Sequence, residues 1–311
     1  MKLFEVINKE YETIEGVHTQ EIFANENSLK NVKKITLLFE KIISKDYGKS
    51  IGEDMYKKIA GWIRKEFPEQ SSFKYINPED ITAFSTKLSE YQDSKNFEDA
   101  GYFISVLING HFKATQYRRE YKIITEHLEK RIDGIGMYNK GDIIIYGNCG
   151  DDFCAKMQGG TSILYGNCED FAGIEMHSGT VTILGNTGEY LGHGMLNGKI
   201  KVKGSAGNWC ACSMFNGTIE IKENAKYNAC QDMYGGIVRI DGDNSHFSDE
   251  LYGGKIYENG SIRIDKPFIT KGDIRKKRKM EREIELFNEI LKQEKDDYHT
   301  AVHVYASHKI E

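Results

Sequence analysis

Six cysteines have the greatest potential for chemistry in this sequence, and all of them lie between residues 149 and 230. Cys210 and Cys212 form the closest pair. In an extended segment alternate side chains project from one face, as two ligands of a single metal ion would. No second pair has the spacing of a zinc finger. We therefore expect free thiols in a reducing compartment, with Cys210 and Cys212 as the candidates for metal binding.

A glycine-rich stretch at residues 185–204, GNTGEYLGHGMLNGKIKVKG, has the composition of a phosphate-binding loop. A dinucleotide-binding fingerprint requires a helix directly after its glycines, because the helix N-terminus supplies the N–H groups that bind pyrophosphate. Here residues 199–203 alternate polar and apolar side chains, which is the period of a β-strand. We interpret the glycines as structural, and Glu189 with His193 as the polar pair to inspect for a site.

Histidines and a basic run stand out near the C-terminal end. His299 and His303 would share one face of a helix, with His308 beyond them, but the β-branched residues around them disfavour a helix. The basic run at 275–279 is the one hint of nucleic-acid binding, and the glutamates that follow nearly balance its charge. We expect a solvated helix face there. The run consists of Arg275, Lys276, Lys277, Arg278 and Lys279.

An internal repeat explains most of the residues in the middle of the chain. A template of Gly-Asn, a small residue, an aromatic residue, another small residue, methionine, glycine and a short alternating strand recurs every 19 residues. The leading glycines are Gly147, Gly166, Gly185 and Gly204, and Glu223 replaces the glycine of the fifth copy. The methionines are Met157, Met176, Met195, Met214 and Met233. The columns that contain Cys149, Cys154, Cys168 and Cys230 are otherwise small, so column occupancy accounts for these thiols.

A period of 19 residues is too short for a repeat of paired helices and fits one coil of a β-solenoid. Equivalent strands of successive coils stack about 4.8 Å apart, so each template position becomes a column along the axis. We expect methionine and aliphatic columns inside. Glycine suits the corners, where φ is positive.

The same residues resemble a known repeat family. The pattern G-N-x-G-x-Y-x-G-x-x-M is best matched at 185–195. It resembles the GXGXG repeat of the C-terminal domain of the glutamate synthase large subunit and of the β-helical subunit of formylmethanofuran dehydrogenase. The resemblance extends over roughly residues 134–264. It implies a right-handed single-stranded β-helix that acts as a non-catalytic scaffold. It also implies that Gly185, Gly188, Gly192, Gly194 and Gly198 give the coil its shape without binding a ligand.

The remaining segments differ in composition from the repeat. Residues 1–125 contain few glycines and show helical spacing of apolar residues, with an early strand expected at 121–125. After Pro267 the spacing of Ile274, Met280, Ile284, Phe287 and Leu291 predicts another helix. We therefore predict an α+β multidomain chain. Its parts are a mainly helical domain at 1–125, the β-helix at 126–266, and a C-terminal helix and tail at 267–311.

Charge and motifs narrow the functional classes. The net charge of −5 over 311 residues demands neither nucleic acid nor an anionic membrane as partner. Apolar runs never approach the length of a membrane span and the N-terminus has no signal pattern, so we expect a cytoplasmic protein without a membrane partner. No Ser-His-Asp, Walker, Rossmann or HExxH motif is present, and we expect no cofactor.

Two functional hypotheses follow. The preferred one is a structural or protein-interaction module, in which the β-helix is a rigid platform and a protein partner or a second copy binds to the chain. The alternative is an accessory, structural subunit of an oxidoreductase or amidotransferase complex, like the relatives that the repeat resembles.

Overall fold

The computed structural model describes residues 26–45, 50–66, 70–242, 246–248 and 250–266. The predicted C-terminal helix, the basic run at 275–279 and the three C-terminal histidines lie outside the described residues. No helix in the described part of the chain combines the length and apolar character needed to cross a membrane.

Four helices precede the repeat in the part of the chain that the structure describes. They are α1 (Glu26–Ile43), α2 (Gly52–Glu66), α3 (Pro78–Ser85) and α4 (Ala100–Thr115), with 3-10 turns at Gln70–Tyr75, Leu88–Tyr91 and Phe97–Asp99. The start of α3 is fixed locally, because Pro78 suits the first helical position and the Asp80 carboxylate accepts a 2.9 Å hydrogen bond from the Asn77 N–H. Most residues of α4 are buried, so this helix lies at the centre of the group.

A single nine-stranded sheet follows, in which the strands are ordered as they occur in the chain. The strands are β1 (Glu120–Ile124), β2 (Asp142–Tyr146), β3 (Gln158–Tyr165), β4 (Ser178–Ile183), β5 (Lys199–Val202), β6 (Thr218–Ile221), β7 (Ile237–Ile240), β8 (Gly254–Glu258) and β9 (Ser261–Lys266). Strands β1 to β8 are parallel, whereas β9 turns back antiparallel to β8. The chain therefore forms a parallel β-solenoid of about seven turns, roughly 19 residues apart.

The interior of the solenoid is built from columns, as the repeat predicts. Val181, Ile200 and Ile219 are register partners in successive strands, and all three are fully buried. The five methionines of the template are buried to the same degree. Each coil thus contributes the same apolar side chains to one continuous core, which contributes roughly 1.5–3 kcal/mol for each large side chain buried.

The helices cap the first coil of the solenoid. Ser105 on α4 donates a hydrogen bond from Oγ to the Gly134 carbonyl and accepts one from the Gly136 N–H, both at 2.8 Å. The helix approaches so closely that a Cβ on Gly101 would lie 2.3 Å from the Asp133 carbonyl oxygen. Helical and solenoid side chains belong to a single hydrophobic cluster. A solenoid needs such a cap because its end would otherwise expose the interior column.

The first strand is also protected at its open edge. The early strand predicted at 121–125 is present as β1. It pairs in parallel with β2, although it precedes residue 126, the predicted start of the β-helix. Thr82 on α3 donates from Oγ1 to the Lys122 carbonyl at 2.7 Å, and Ser85 accepts from the Ile124 N–H at 3.0 Å. These hydroxyls pair backbone groups that a further strand would otherwise bind.

Candidate functional site

The backbone of the glycine-rich stretch is engaged with neighbouring coils. The N–H of Tyr190 donates to the Asn208 carbonyl at 2.9 Å, that of Gly192 to Ala172 at 2.8 Å, and that of Gly194 to Cys212 at 2.9 Å. Phosphate-binding loops work because their N–H groups point at the ligand. Here those groups point at the coils on either side, so the stretch has the stacking role that its spacing indicates.

Two different constraints place glycine in the repeat. Gly192 has φ of +63°, a left-handed conformation that glycine adopts without strain. Gly185 has no such φ, but a Cβ there would lie 2.3 Å from Asn167 Oδ1 of the preceding coil. Positive φ is shared by Gly147, Gly194 and Gly198. Lack of space is shared by Gly166, Gly188 and Gly204.

An asparagine ladder runs along one corner of the solenoid. The Oδ1 atom of Asn148 accepts from the Asn167 N–H at 2.8 Å, and that of Asn167 accepts from the Asn186 N–H at 2.7 Å. Asn186 repeats the contact with the Ser205 N–H at 2.8 Å. The crowding around Gly185 follows from this ladder, because each amide side chain occupies the volume beside the next leading glycine.

A parallel acidic ladder lies three residues further along each coil, and sequence reasoning missed it. Asp133 Oδ1 accepts from the Asp151 N–H at 2.9 Å, and Asp151 Oδ1 accepts from the Asp170 N–H at 2.9 Å. Asp170 continues to the Glu189 N–H at 2.7 Å. The available signal was the recurrence of acidic residues at 151, 170 and 189 with the period of the repeat.

A shallow polar groove separates the two ladders. It is lined by Arg131, Asp151, Asn167, Glu169, Asp170, Asn186 and Thr187, together with Cys168 and Gly188. An ion pair joins Arg131 to Glu169 at 2.8 Å, with both side chains about half exposed. Surface pairs of this kind contribute little stability. The groove is a surface feature whose carboxyl and amide oxygens largely serve the ladders.

Burial makes the carboxyls near the cap difficult to ionise. Desolvation, followed by the charge of Asp151, raises the pKa of Asp133 to about 9. Burial likewise raises the pKa of Asp151 to about 7. For Asp152 burial raises the pKa to about 6 against the opposing hydrogen bond from Tyr102. The first coils therefore hold three acids that favour the protonated form more than free aspartate does.

A polar network fixes the helical cap to the solenoid. The Tyr102 hydroxyl on α4 donates to Asp152 Oδ2 at 2.6 Å and accepts from the Gly52 N–H at 3.0 Å. Glu53 on α2 binds Lys156 of the solenoid at 2.5 Å. Burial by itself raises the pKa of Glu53, but hydrogen bonds from Lys156, Lys57 and Tyr138 lower it to about 2. The ionised glutamate thus joins the second helix to the second coil.

The cysteines are free and buried. Burial raises the pKa of the Cys210 thiol, and the same cause acts on Cys149, Cys154, Cys168 and Cys230. A thiolate is the form that binds metal, so burial disfavours ligation at these positions. Among the residues that the structure describes, no group of three or more Cys, His, Asp or Glu side chains is arranged to hold a metal ion.

The geometric premise for Cys210 and Cys212 as a metal-binding pair is wrong. Ala211 between them has φ of 56°, and Ser213 after them has φ of 54°. The segment is therefore a left-handed corner of the coil rather than an extended strand, and the rule that alternate side chains share a face does not apply. Cys212 Sγ instead lies 3.7 Å from the Ser213 hydroxyl.

The polar pair beside the glycines has separate structural contacts. The Glu189 carboxylate accepts a 2.7 Å hydrogen bond from Asn208 Nδ2 in the next coil. The His193 ring packs edge-on against Tyr190, with 5.9 Å between centroids and an interplanar angle of 87°. Glu189 extends the acidic ladder, and His193 belongs to an aromatic corner.

An apolar ridge lies at the corner that precedes the strands. We define the corner ridge as Leu196, Phe215, Tyr234 and Tyr252, which occupy one column in four successive coils. Phe215 and Tyr234 stack at 5.2 Å, and Tyr234 and Tyr252 at 4.9 Å. Both ends are exposed, Leu196 by 40% and Tyr252 by 39%. The sequence signal for this surface was the apolar residue that directly follows Met195, Met214 and Met233.

The chain matches no protein-family model, and no curated protein resembles it in sequence closely enough to count as a match.

Proposed function

We propose that this chain is a non-catalytic β-helix scaffold or protein-interaction module, related to the C-terminal domain of the glutamate synthase large subunit. The observation that carries the proposal is the use of polar side chains in the coils. Asn148, Asn167, Asp133 and Asp151 each bind the backbone of the next coil. An enzyme acting alone requires convergent acid, base or nucleophilic groups in a pocket. These groups instead hold successive coils together.

The capped architecture supports a platform role. The helical cap and the solenoid share one hydrophobic cluster, and the Tyr102–Asp152 and Glu53–Lys156 contacts fix their relative position. Surfaces on such a body keep their spacing when a partner binds. The partner is a protein or a second copy of the chain, and the setting is the cytoplasm.

Two finer features belong to the same proposal. The coils wind in the right-handed sense, as the repeat family implies and as connections between parallel strands of one sheet strongly prefer. The segment 267–311 contributes the C-terminal helix that its apolar spacing predicts. Isotope-edited infrared spectroscopy of segment-labelled protein tests the helix, and an experimental structure tests the hand.

The decisive experiment measures catalysis and cofactor content together. Purified full-length protein is assayed for glutamate release from glutamine plus 2-oxoglutarate and for oxidation of formylmethanofuran, and its absorbance and metal content are recorded. We expect no turnover, no visible chromophore and no stoichiometric metal. Turnover by the isolated chain, or flavin, iron–sulfur or tungsten at one equivalent, would contradict the proposal.

The alternative is an accessory subunit of a glutamate synthase-like or formylmethanofuran dehydrogenase-like complex, which the GXGXG resemblance favours. Tagged chain purified from its native cells distinguishes the two. Stoichiometric copurification of catalytic subunits with the corresponding activity supports the accessory role. Copurification of other proteins, or of the chain alone, supports an independent module.

A further inference from the structure

The end of the described chain lies beside the corner ridge. Lys266 is the register partner of Gly254 in the β8–β9 pair, and its Nζ donates to the Leu251 carbonyl at 2.8 Å. Tyr252, the last residue of the ridge, stands between these two contacts in the sequence. The chain therefore leaves β9 at the same corner of the coil that carries the ridge.

The segment that follows is long enough to cover the whole ridge. Four stacked coils extend about 14 Å along the axis, since each step is about 4.8 Å. The apolar positions of the segment fall between residues 274 and 291. At the 1.5 Å rise of a helix, this stretch covers about 27 Å. The residues between 266 and 274 span up to about 25 Å when extended, which is enough to bring the segment back over the ridge.

A carboxylate beside the ridge complements the charge of the segment. Glu250 is exposed, and its carbonyl accepts a 2.6 Å hydrogen bond from the N–H of Asp232 in the preceding coil. Glu250 stands two residues before Tyr252, at the end of the ridge from which the chain leaves. The basic run at 275–279 is at the beginning of the segment, so the first part of the segment meets this carboxylate when it folds back.

We propose that residues 267–311 dock on their own solenoid, with the apolar side chains of 274–291 against the corner ridge and the basic run against Glu250. This inference does not depend on the scaffold role. It makes the ridge an internal docking site of the chain.

Engineered cysteine pairs test the docking directly. The native cysteines are buried, so introduced surface thiols react selectively. Phe215→Cys with Phe287→Cys places one thiol on the ridge and one on the segment. Lys201→Cys with Phe287→Cys is the matched control, because Lys201 projects from the outer face of β5 on the same solenoid. After mild oxidation of the full chain, we expect an intramolecular disulfide in the ridge pair and about tenfold less in the control.

Each other outcome overturns the proposal. Disulfides between copies would show that a second chain occupies the ridge. Equal yields in the two pairs would show that the segment has no preferred position. A ridge pair that stays reduced while both thiols react freely with a maleimide would show that the ridge is uncovered by the segment.

The charge component has its own test in the full-length ridge pair. Glu250→Arg is expected to lower the rate of disulfide formation about fivefold or more, and Lys276→Glu in addition is expected to restore part of the rate. A rate unchanged by Glu250→Arg would show that Glu250 does not contribute to the proposed contact. Thermal unfolding of each variant separates a docking defect from a loss of fold.

Discussion

Asp133→Asn is expected to stabilise the chain at neutral pH, and by more at pH 7 than at pH 5. Asp133 lies under the helical cap, where its Oδ1 accepts from the Asp151 N–H at 2.9 Å. A Cβ on Gly150 would lie 1.9 Å from that oxygen, so the site is tightly packed. An amide has the same shape and keeps the acceptor, and it cannot ionise in either the folded or the unfolded chain.

The sign follows from linkage. Burial and the neighbouring acids Asp151, Asp152 and Glu98 raise the pKa of Asp133 from 3.8 to about 9 in the folded state. Its contribution to stability is fully present below the unfolded pKa of 3.8 and is lost as pH rises toward 9. In that window the unfolded chain releases a proton that the folded chain retains. Each pH unit then lowers the free energy of unfolding by about 1.4 kcal/mol.

Between pH 5 and pH 7 this single group is expected to cost about 2 to 3 kcal/mol, and asparagine removes the cost. Urea unfolding of both proteins at pH 5, 6, 7 and 8, followed by far-ultraviolet circular dichroism, measures the difference. The stability advantage of the variant should grow across the series. Parallel stability curves over this range would refute the reasoning, because Asp133 would then be ionised in the native state.

Glu53→Gln is a control for which the pH dependence of stability is expected to have the opposite sign. The pKa of Glu53 is lowered from 4.5 to about 2 in the folded state, where its side chain binds Lys156. Its contribution is present above pH 4.5 and is lost as pH falls toward 2. The variant should therefore be less stable than the wild type above pH 4.5, and the gap should close in acid.

Three further predictions concern the coils. Met195→Ala should cost about 2–5 kcal/mol in the free energy of unfolding because Met195 is fully buried, whereas Lys201→Gln on the outer face should change it by less than about 0.5 kcal/mol. Equal changes in the free energy of unfolding would show that the inner and outer faces of the coil are wrongly assigned. Gly185→Ala should lower the melting temperature, since its Cβ would lie 2.3 Å from an asparagine oxygen, whereas Gly61→Ala in open space within α2 should raise it. The Gly192 amide, bonded to the preceding coil, should exchange hydrogen slowly; exchange at the rate of an exposed amide would contradict the coil-to-coil bond.

The repeating part of the fold was predictable because every coil has the same sequence pattern and therefore the same local structure. A stacked strand needs alternating side chains, and a 19-residue period places Met157, Met176 and Met195 in one column whatever the rest of the chain does. The buried methionines and the parallel register confirm that part. The glycines at positive φ follow from the same rule, because the corner recurs in every coil.

The cap and the polar network depended on tertiary structure, because they join residues far apart in the chain. Ser105 meets Gly134 and Gly136, Tyr102 meets Asp152, and no period relates these positions. The raised pKa of Asp133 likewise results from the cap that covers it together with the neighbouring acids.

The pair Cys210 and Cys212 shows both what the sequence determined and what the tertiary structure decided. Their spacing in the sequence suits two ligands on an extended segment, but the left-handed φ of Ala211 was decided by the position of that residue at a corner of the coil. The sequence by itself determined the period, the interior columns and the places where side chains must be small. Tertiary structure decided what covers the first coil, which acids are buried and which surfaces remain exposed, because these depend on contacts between segments that have no common repeat.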